Sequence, residues 1–275
     1  MPELPEVETI KNELAPYVVG QSFTKVDICD EKVVCGGSAE EVRRGLIGQK
    51  VQSLERRGKY LIFHLSNGKS LIIHLRMTGV LLLNPGGVDH YTRAVFHLSN
   101  RHRLVFSDRR RLGVMWLVDD ADTVVGKLGP EPLDESFTPG ILGQRLSRHH
   151  IPVKAALLDQ CIVAGIGNMY ADEALFAARI HPLRKADALS PKEVQTLHRC
   201  IRQVLQAAIG SKGASVDTYV RPEGELGTAH SDFKVAHRGG ESCPVCGSTI
   251  ERVLVQNRGT YFCPRCQTLG RGPLL

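Results

Sequence analysis

YLIFHLSNGKSLIIHL, residues 60–75, is the stretch that decides the fold of the first half of the chain. Its two runs rich in β-branched and aromatic residues flank Asn67-Gly68, a dipeptide typical of tight β-hairpin turns. Residues 95–108, VFHLSNRHRLVFSD, repeat the pattern around a second polar turn. Several such runs between about residues 21 and 118 predict an antiparallel sandwich or barrel-like first domain.

The segment before this β-rich region has helical periodicity. Residues 5–14, PEVETIKNEL, predict a short amphipathic helix with an apolar stripe of Val7, Ile10 and Leu14. Proline suits the first turn of a helix, and acidic side chains suit the positive end of its dipole. A well-formed helix start is therefore one sufficient explanation of these residues.

The second half of the chain is predicted to be helical. Residues 129–140, GPEPLDESFTPG, have the composition of an interdomain linker. Helical patterns follow over residues 154–163, 168–178 and 191–209. The polar, glycine-containing residues 210–240 are long enough that we expect a lid or a disordered loop.

Composition sets broad limits on function. The 275 residues include 42% hydrophobic and 23% charged residues, which is typical of soluble globular proteins. A net charge of +6 permits a polyanionic partner without requiring one. The most apolar stretch, residues 71–83, is interrupted by His74 and Arg76 and is shorter than the ~20 residues of a membrane span. We therefore predict a cytosolic protein without a membrane partner, whose cysteines are reduced.

Two C-x2-C pairs predict a metal site. Cys243 and Cys246 are separated from Cys263 and Cys266 by sixteen residues, a spacing that matches a four-thiolate zinc site. Four protein ligands leave no open position, so the zinc would be structural. Disulfides, which the cytosol disfavours, and a chance pattern are the alternatives. The four other cysteines, Cys29, Cys35, Cys161 and Cys200, lack ligand spacing.

Three further motifs fit nucleic-acid binding, and each has a purely structural alternative. SDRRRLGVMW (107–116) and HLRMTG (74–79) place arginines beside the apolar side chains of Leu112 and Met77, as a protein that wedges open a base stack requires. VAGIGNMYADEALF (163–176) has glycines before a helix start, where backbone N–H groups can hold a phosphate. Core packing with surface charge, and a plain turn between helices, explain the same residues.

Two further cations are candidate functional residues. One lies in the hairpin between the cysteine pairs and the other in residues 56–61. Arg258 lies in TIERVLVQNRGTYF, whose predicted turn is Asn257-Arg258-Gly259, and would suit a phosphate or simply be solvated. Lys59, in RRGKYL, precedes an apolar strand, where a lysine also discourages edge-to-edge aggregation.

The first residues, MPELPEVETI, also offer a nucleophile. If Met1 is removed, Pro2 carries a free secondary amine, and α-amino groups titrate near ~8 against ~10.4 for lysine. Its attack on an aldehyde-level carbon gives a permanently cationic iminium, and Glu3 can carry a proton.

Taken in order, PELPEVE, RRGKYL, IIHLRMTG, DRRRLG, GIGNMYADEALF and the paired CxxC finger resemble the formamidopyrimidine-DNA glycosylase family of bacterial base-excision repair. The resemblance extends over residues 2–267 and implies an α+β multidomain protein. It implies an antiparallel β-sandwich with a leading helix (1–128), a linker (129–140), a helix–two-turn–helix domain with a lesion-capping loop (141–240) and a β-hairpin zinc finger (241–275), with DNA in the cleft between them.

The resemblance also assigns roles to individual residues. Pro2 would be the nucleophile at C1′, Glu3 its acid/base partner, and Lys59 a contact to the damaged nucleotide or its phosphate. Backbone phosphates would be held by His74, Asn168 and Arg258, with Lys154 near the lesion. Met77, Arg110 and Leu112 would form the intercalating set, in which Arg110 reads the orphaned cytosine. The loop 217–236 would close over the extruded base.

The implied activity is that of a bifunctional glycosylase and AP lyase. It would excise 8-oxoguanine and formamidopyrimidines from double-stranded DNA, cleave abasic sites by β,δ-elimination, carry one structural Zn²⁺, and act as a monomer in the cytoplasm, associated with the nucleoid through DNA. Two alternatives remain at this point. One is an endonuclease VIII-like enzyme for oxidised pyrimidines, and the other is a non-catalytic zinc-dependent DNA-binding protein.

Three positions depart from the pattern of that family. Leu112 stands where phenylalanine is usual, Arg109 replaces a proline, and Arg76 replaces a glycine beside Met77. An aliphatic side chain can still unstack a base step. The two added arginines predict stronger non-specific DNA binding that depends more steeply on salt.

Overall fold

The structure, a computed structural model, describes residues 1–269. The chain forms two compact units, and the first combines Met1–Lys127 with Ala208–His230. The second combines Leu128–Ala207 with the described residues from 231 onward. The last six residues of the predicted domain 241–275 lie outside the described part, and the predicted domain boundaries stay predictions.

Two four-stranded antiparallel sheets form the centre of the first unit. One has the strand order β1-β6-β7-β5 and the other β2-β3-β4-β8. Buried apolar side chains from both sheets join in one core, so the predicted sandwich is confirmed. The strands are β1 (Phe23–Ile28), β2 (Val51–Arg57), β3 (Tyr60–Leu65), β4 (Ser70–His74), β5 (Gly79–Leu83), β6 (Thr92–Leu98), β7 (Arg103–Asp108) and β8 (Val114–Val118).

The hairpin predicted from residues 60–75 is the β3–β4 pair. Its register runs from Tyr60 opposite His74 to His64 opposite Ser70, and Gly68 takes a positive φ of 83° in the turn. Every residue of β4 is buried. A strand that is covered on both sides explains why SLIIH shows no polar alternation in the sequence.

Three helices accompany the sheets: α1 (Leu4–Val18), α2 (Ala39–Leu46) and α3 (Asp122–Val125). The first is longer than the predicted 5–14, because the apolar stripe continues to Val18. Glu3 and Glu6 form a capping box at its start. The stripe consists of Val7, Ile10, Leu14 and Val18, all of which lie in the core of the sandwich.

The second unit contains the remaining helices and the C-terminal hairpin. These elements are α4 (Pro139–Leu146), α5 (Val153–Leu158), α6 (Asn168–Ala177), α7 (Pro191–Gly210), β9 (Glu251–Val255) and β10 (Arg258–Phe262). The last turn of α7, from Ala208, belongs to the first unit. Within the described residues, no helix is long and apolar enough to cross a membrane.

Two predicted element boundaries were wrong. The helix predicted over 154–163 ends at Leu158, because the Asp159 side chain accepts the N–H of Cys161 and starts a turn that competes with the helix. The turn between β9 and β10 is formed by Gln256 and Asn257, which both have positive φ. Arg258 is therefore the first residue of β10 and pairs with Val255.

The segment Ala208–His230 is held against α1 by buried contacts. The backbone N–H of Ala214 donates to Glu6 Oε1 at 2.8 Å, and Glu6 is fully buried. Tyr219 packs into the sandwich core. This half of the predicted lid or disordered loop is therefore an integral part of the first unit.

The following residues of the segment are held by an ion pair and a backbone bond. Arg221 Nη2 lies 2.6 Å from Glu13 Oε1 on α1. The N–H of Leu83, at the end of β5, donates to the carbonyl of Pro222 at 2.7 Å. The segment is thus fixed to both a helix and a sheet edge.

We predict that Gly213→Ala destabilises the protein more than Gly224→Ala. Both glycines have positive φ, so each alanine incurs a strain of about 1 kcal/mol. A Cβ at Gly213 would also lie 2.9 Å from Glu6 Oε1 and 3.0 Å from Tyr219 Cε1, whereas a Cβ at Gly224 meets nothing within 4 Å. The crowding should add about 1–3 kcal/mol to the loss of unfolding free energy, measured by urea denaturation. Equal losses in the two variants would contradict this account of the contact.

Candidate functional site

The start of α1 fixes the predicted nucleophile and its neighbour. Pro2 is buried, and Glu3 exposes 2% of its surface. The N–H of Glu3 donates to Glu6 Oε2 at 2.8 Å, while the other oxygen of Glu6 accepts the N–H of Ala214. From the sequence, Glu6 needs no role beyond the helix dipole. The structure shows that it links the N-terminus to a segment over 200 residues away.

Lys59 lies in the two-residue turn between β2 and β3, beside Gly58 with φ 58°. It is almost fully buried. The preceding Arg56 donates from Nη1 to the Gly58 carbonyl at 3.1 Å and from Nε to Glu8 Oε2 at 2.7 Å. One guanidinium therefore connects the turn that carries Lys59 with helix α1.

Glu8 is ionised in this contact. Burial alone would raise the pKa of its carboxyl, but hydrogen bonds from Lys11 and Arg56 and their charges lower the pKa below its usual range. Like Glu6, Glu8 has a specific partner that the local sequence pattern does not reveal. The partner is 48 residues away in the sequence.

His74, at the end of β4, is a neutral ring. Burial, with the charges of Arg76 and Lys59 adding to it, lowers its pKa to about 3. The N–H of Arg76 donates to Nδ1 at 3.0 Å, so the single proton of the neutral ring resides on Nε2. His74 can therefore donate a hydrogen bond but brings no positive charge.

Arg76 and Met77 form the turn that follows His74. Arg76 is exposed and takes a positive φ of 53°, a conformation that glycine adopts without strain. This explains why glycine suits the position and why the arginine there is a departure. Met77 is half-buried.

The three consecutive arginines after β7 have different surroundings. The guanidinium of Arg109 lies 5.5 Å from the centre of the Tyr91 ring, and Arg111 pairs with Asp30 at 2.6 Å. Arg110 is exposed, and within residues 1–269 no side-chain partner of it is found. Arg110 is therefore the arginine of this run whose guanidinium is open to a ligand.

Leu112 follows the three arginines and is 41% exposed. Its backbone N–H donates to Asp108 Oδ2 at 2.8 Å. From the sequence, Leu112 is predicted as a site residue but Asp108 is not. The sequence shows only that Asp108 ends a predicted strand and precedes a glycine by five residues.

In the second unit, Asn168 and Arg258 are brought together. Asn168, the first residue of α6, donates from Nδ2 to the carbonyl of Gly259 at 2.9 Å. Its Oδ1 is buried and has no hydrogen-bond partner in the part of the chain that is described. Arg258 precedes Gly259 and is exposed. Asn168 thus contacts the residue that follows Arg258, 91 positions away in the sequence.

Lys154 has a different environment from the one expected of a residue that touches a ligand. It is fully buried, and its Nζ lies 2.5 Å from Asp172 Oδ1. The second oxygen of Asp172 accepts the N–H of Tyr261 at 3.1 Å. Burial raises the pKa of Asp172 to about 7, against the lowering effect of Lys154. The pair joins α5, α6 and β10, and a direct role of Lys154 near the lesion stays a prediction.

Glu173 holds the second half of the predicted capping loop. Its carboxylate accepts the N–H groups of Lys234, Val235 and Ala236 at 2.8–3.0 Å. The loop 217–236 is therefore attached at 219–222 within the first unit and at 234–236 within the second.

The four predicted zinc ligands meet at one point. The sulfurs of Cys243, Cys246, Cys263 and Cys266 all lie within 4.8 Å of one another. They pack against Phe176 of α6, a buried position outside the finger. Thiolates at this spacing fit a tetrahedral ion with Zn–S bonds of ~2.3 Å, and all four ligand positions are filled by protein. The site fits one structural zinc.

Comparison with known proteins identifies the family. Residues 1–115 match the family model of the formamidopyrimidine-DNA glycosylase N-terminal domain, and residues 128–220 match that of its H2TH domain. The chain belongs to the formamidopyrimidine-DNA glycosylase family. Residues 240–269 match a zinc finger found in FPG and IleRS, which confirms the predicted zinc-finger fold.

Curated formamidopyrimidine-DNA glycosylases match the chain over its whole length. One from Symbiobacterium thermophilum is 43% identical over 281 residues, which cover 100% of this chain and 92% of the relative. Another, from Chloroflexus aurantiacus, is 42% identical and covers 99% of this chain and 100% of the relative.

Solved formamidopyrimidine-DNA glycosylase structures share the fold. Lactococcus lactis Fpg in complex with abasic-site DNA matches with a TM-score of 0.90 and 34% identity, over 97% of this chain and 99% of that chain. A variant of that protein bound to Fapy-dG DNA has a TM-score of 0.91, 34% identity and coverages of 97% and 100%. Thermus thermophilus MutM has a TM-score of 0.89, 40% identity and coverages of 98% and 100%.

We predict that this glycosylase binds one zinc per chain and that Cys263→Ser removes it, whereas Cys29→Ser does not. Zinc contributes about 10–16 kcal/mol to the folding of small finger modules, so β9 and β10 should lose their structure with the metal. Metal analysis of the purified protein and amide hydrogen exchange of residues 243–267 test this. Full zinc content in the Cys263 variant would contradict the four-thiolate site.

Proposed function

We propose that this protein is a bifunctional DNA glycosylase and AP lyase that excises 8-oxoguanine and formamidopyrimidines from duplex DNA. The observation that carries the proposal is the arrangement of Pro2 and Glu3, which Glu6 fixes at the start of α1. The family membership supports a glycosylase. The Fapy-dG and abasic-site complexes of the Lactococcus lactis relative support the substrate class.

The nucleophile in this proposal is the secondary amine of Pro2, released when Met1 is removed. The nitrogen lone pair forms a bond to C1′ of the damaged nucleotide as the bond from C1′ to the base breaks. The base leaves with the electron pair of that bond and takes up a proton, and Glu3 is the group placed to exchange protons here. The nitrogen then loses its N–H proton, and its lone pair forms a double bond to C1′ as the C1′–O4′ bond breaks and O4′ takes up a proton. The resulting iminium has no N–H to lose and is therefore cationic.

The iminium then acts as an electron sink for strand cleavage. Loss of a proton from C2′ drives the 3′ phosphate from C3′, and a second elimination releases the 5′ phosphate. Hydrolysis of the iminium frees the amine and leaves a one-nucleotide gap. Lys59, in the neighbouring β2–β3 turn, would contact the damaged nucleotide or its phosphate. Zinc takes no part in these steps, since its four ligands come from the protein.

The remaining predicted residues would bind and deform the DNA. His74 would donate from Nε2 to a phosphate, and Asn168 with Arg258 would hold another from α6 and β10. Met77 and Leu112 would fill the space left by the flipped nucleotide, with Arg110 reading the orphaned base. The buried Lys154 would support this surface through Asp172.

Borohydride trapping tests the mechanism. We expect a covalent protein–DNA adduct on an abasic duplex after reduction, because borohydride converts an iminium into a stable amine. Pro2→Gly should lower the yield of trapped product at least tenfold, while Glu135→Gln, at an exposed position of the predicted linker, should leave it unchanged. Absence of an adduct in the unmodified protein would leave only a DNA-binding role. Single-turnover rates on 8-oxoguanine:C and thymine glycol:A duplexes decide between oxidised purines and oxidised pyrimidines.

The two unusual arginines should steepen the salt dependence of DNA binding. Each phosphate contact that is lost should reduce the slope of log K against log salt by about 0.9. We therefore expect shallower slopes for Arg76→Gly and Arg109→Pro than for the unmodified protein. Arg44→Gln, on α2, removes the same charge at another exposed position and is the control. Slopes that are unchanged in the first two variants would contradict the prediction.

A further inference from the structure

One buried carboxylate connects the two loops that carry the proposed intercalating residues. Asp108, the last residue of β7, exposes 1% of its surface. Its Oδ1 accepts the hydroxyl of Thr78 and, at 3.1 Å, the N–H of Arg110. Its Oδ2 accepts the N–H groups of Leu112 at 2.8 Å and Gly113 at 2.7 Å.

The contacts join two separate stretches of backbone. Thr78 directly follows Met77 in the turn before β5, whereas Arg110 and Leu112 lie in the loop after β7. The N–H of Arg110 also donates to the Thr78 hydroxyl at 3.2 Å, so the two loops contact each other directly as well as through Asp108. Arg110 and Leu112 therefore bind the carboxylate through their own backbone N–H groups. Met77 is linked to it through its neighbour Thr78, whose hydroxyl donates to the same carboxylate.

Close packing leaves this arrangement little freedom. A Cβ on Gly113 would lie 2.5 Å from Phe106 Cζ, and a Cβ on Gly79 would lie 2.5 Å from the Leu75 carbonyl oxygen. Arg93 fixes the main chain of Asp108 by donating from Nε and Nη2 to its carbonyl at 3.0 and 2.7 Å. Both loops are thus held at their bases as well as at the carboxylate.

The geometry points to Asp108 as a positioning residue that keeps Met77, Arg110 and Leu112 at one fixed spacing. The three side chains then enter the base stack together at that spacing. Arg110 thereby reaches the orphaned base while Met77 and Leu112 hold the stack open. This inference rests on the proposed function. Asp108 itself does not touch the DNA in this role, because its oxygens are buried and occupied by the loops.

A second acid, which follows β1 and contacts the loop after β7, separates positioning from general support. Asp30 is also buried, but its contact with the loop is to the side chain of Arg111 rather than to backbone N–H groups. Asp30 Oδ2 also lies 3.8 Å from Nε of Arg93, which donates to the carbonyl of Asp108. Asp30→Asn therefore removes a buried charge beside the loop but no hydrogen bond of the Asp108 carboxylate. It is the matched control for Asp108→Asn, which keeps the size of the side chain but replaces one acceptor oxygen with a donor.

The experiment compares single-turnover cleavage of duplexes with 8-oxoguanine opposite C, 8-oxoguanine opposite A, and an abasic site. An abasic nucleotide has no base to unstack, so its cleavage depends least on the intercalating residues. For Asp108→Asn we expect excision opposite C to fall about tenfold or more, as the loss of charge-assisted hydrogen bonds implies. The preference for C over A should approach one, and abasic cleavage should change less than about threefold. Asp30→Asn should behave like the unmodified protein.

Each other outcome overturns the inference. An equal fall on all three duplexes would mean that Asp108 only supports the fold, and no fall on any would mean that the loops hold their spacing without it. If the unmodified protein cleaved neither lesion nor abasic DNA, the proposed function would fail first, and this inference with it. Should Asp108→Asn fail to fold, Thr78→Val removes the hydroxyl that joins the turn of Met77 to Asp108 and to the N–H of Arg110, and a several-fold selective loss of excision is expected. An equal loss on abasic DNA would again overturn the inference.

Discussion

The carboxylate of Glu6 is the contact on which the proposed chemistry most depends. A terminal amine is of use only if it stays in one place, and chain ends are ordinarily mobile. Glu6 is fully buried and accepts N–H groups from Glu3 and from Ala214. A buried oxygen that lost its hydrogen bond would be costly, so the contacts of Glu6 with both Glu3 and Ala214 are expected to persist. The proposed nucleophile, Pro2, therefore has a fixed position although it precedes the first helix.

Other buried carboxylates among residues 1–269 make similar contacts. Asp172 and Glu173 accept backbone N–H groups of separate segments. Asp108 accepts N–H groups of the loop that follows it and the hydroxyl of Thr78 on a separate turn. In each case the segment carries residues with a proposed role at the DNA. Irregular backbone has few internal hydrogen bonds, and a buried carboxylate supplies several acceptor positions at one point. These hydrogen bonds hold the backbone of the loops in one position, as ladder hydrogen bonds do in a strand.

The sequence predicted the architecture well and the supporting contacts poorly. Hairpins such as 60–75, the amphipathic stripe of α1 and the cysteine spacing follow from local periodicity and local chemistry, and all were confirmed. Glu6 also binds Ala214, and Asp108 also binds Thr78, each on a distant segment, so no local pattern contains these two contacts. The early end of α5 at Leu158 was missed for a related reason, because a side-chain hydrogen bond outcompeted helical periodicity. The predicted roles of individual residues at DNA remain predictions.

The neutral ring of His74 has a consequence for the kind of phosphate contact it would make. At neutral pH, well above its pKa of about 3, the imidazole holds one proton, on Nε2. The phosphate that we propose to bind there would meet a neutral N–H donor, so the contact would add a hydrogen bond but no positive charge. It would therefore release no counterion from the DNA, unlike the contacts proposed for the arginines.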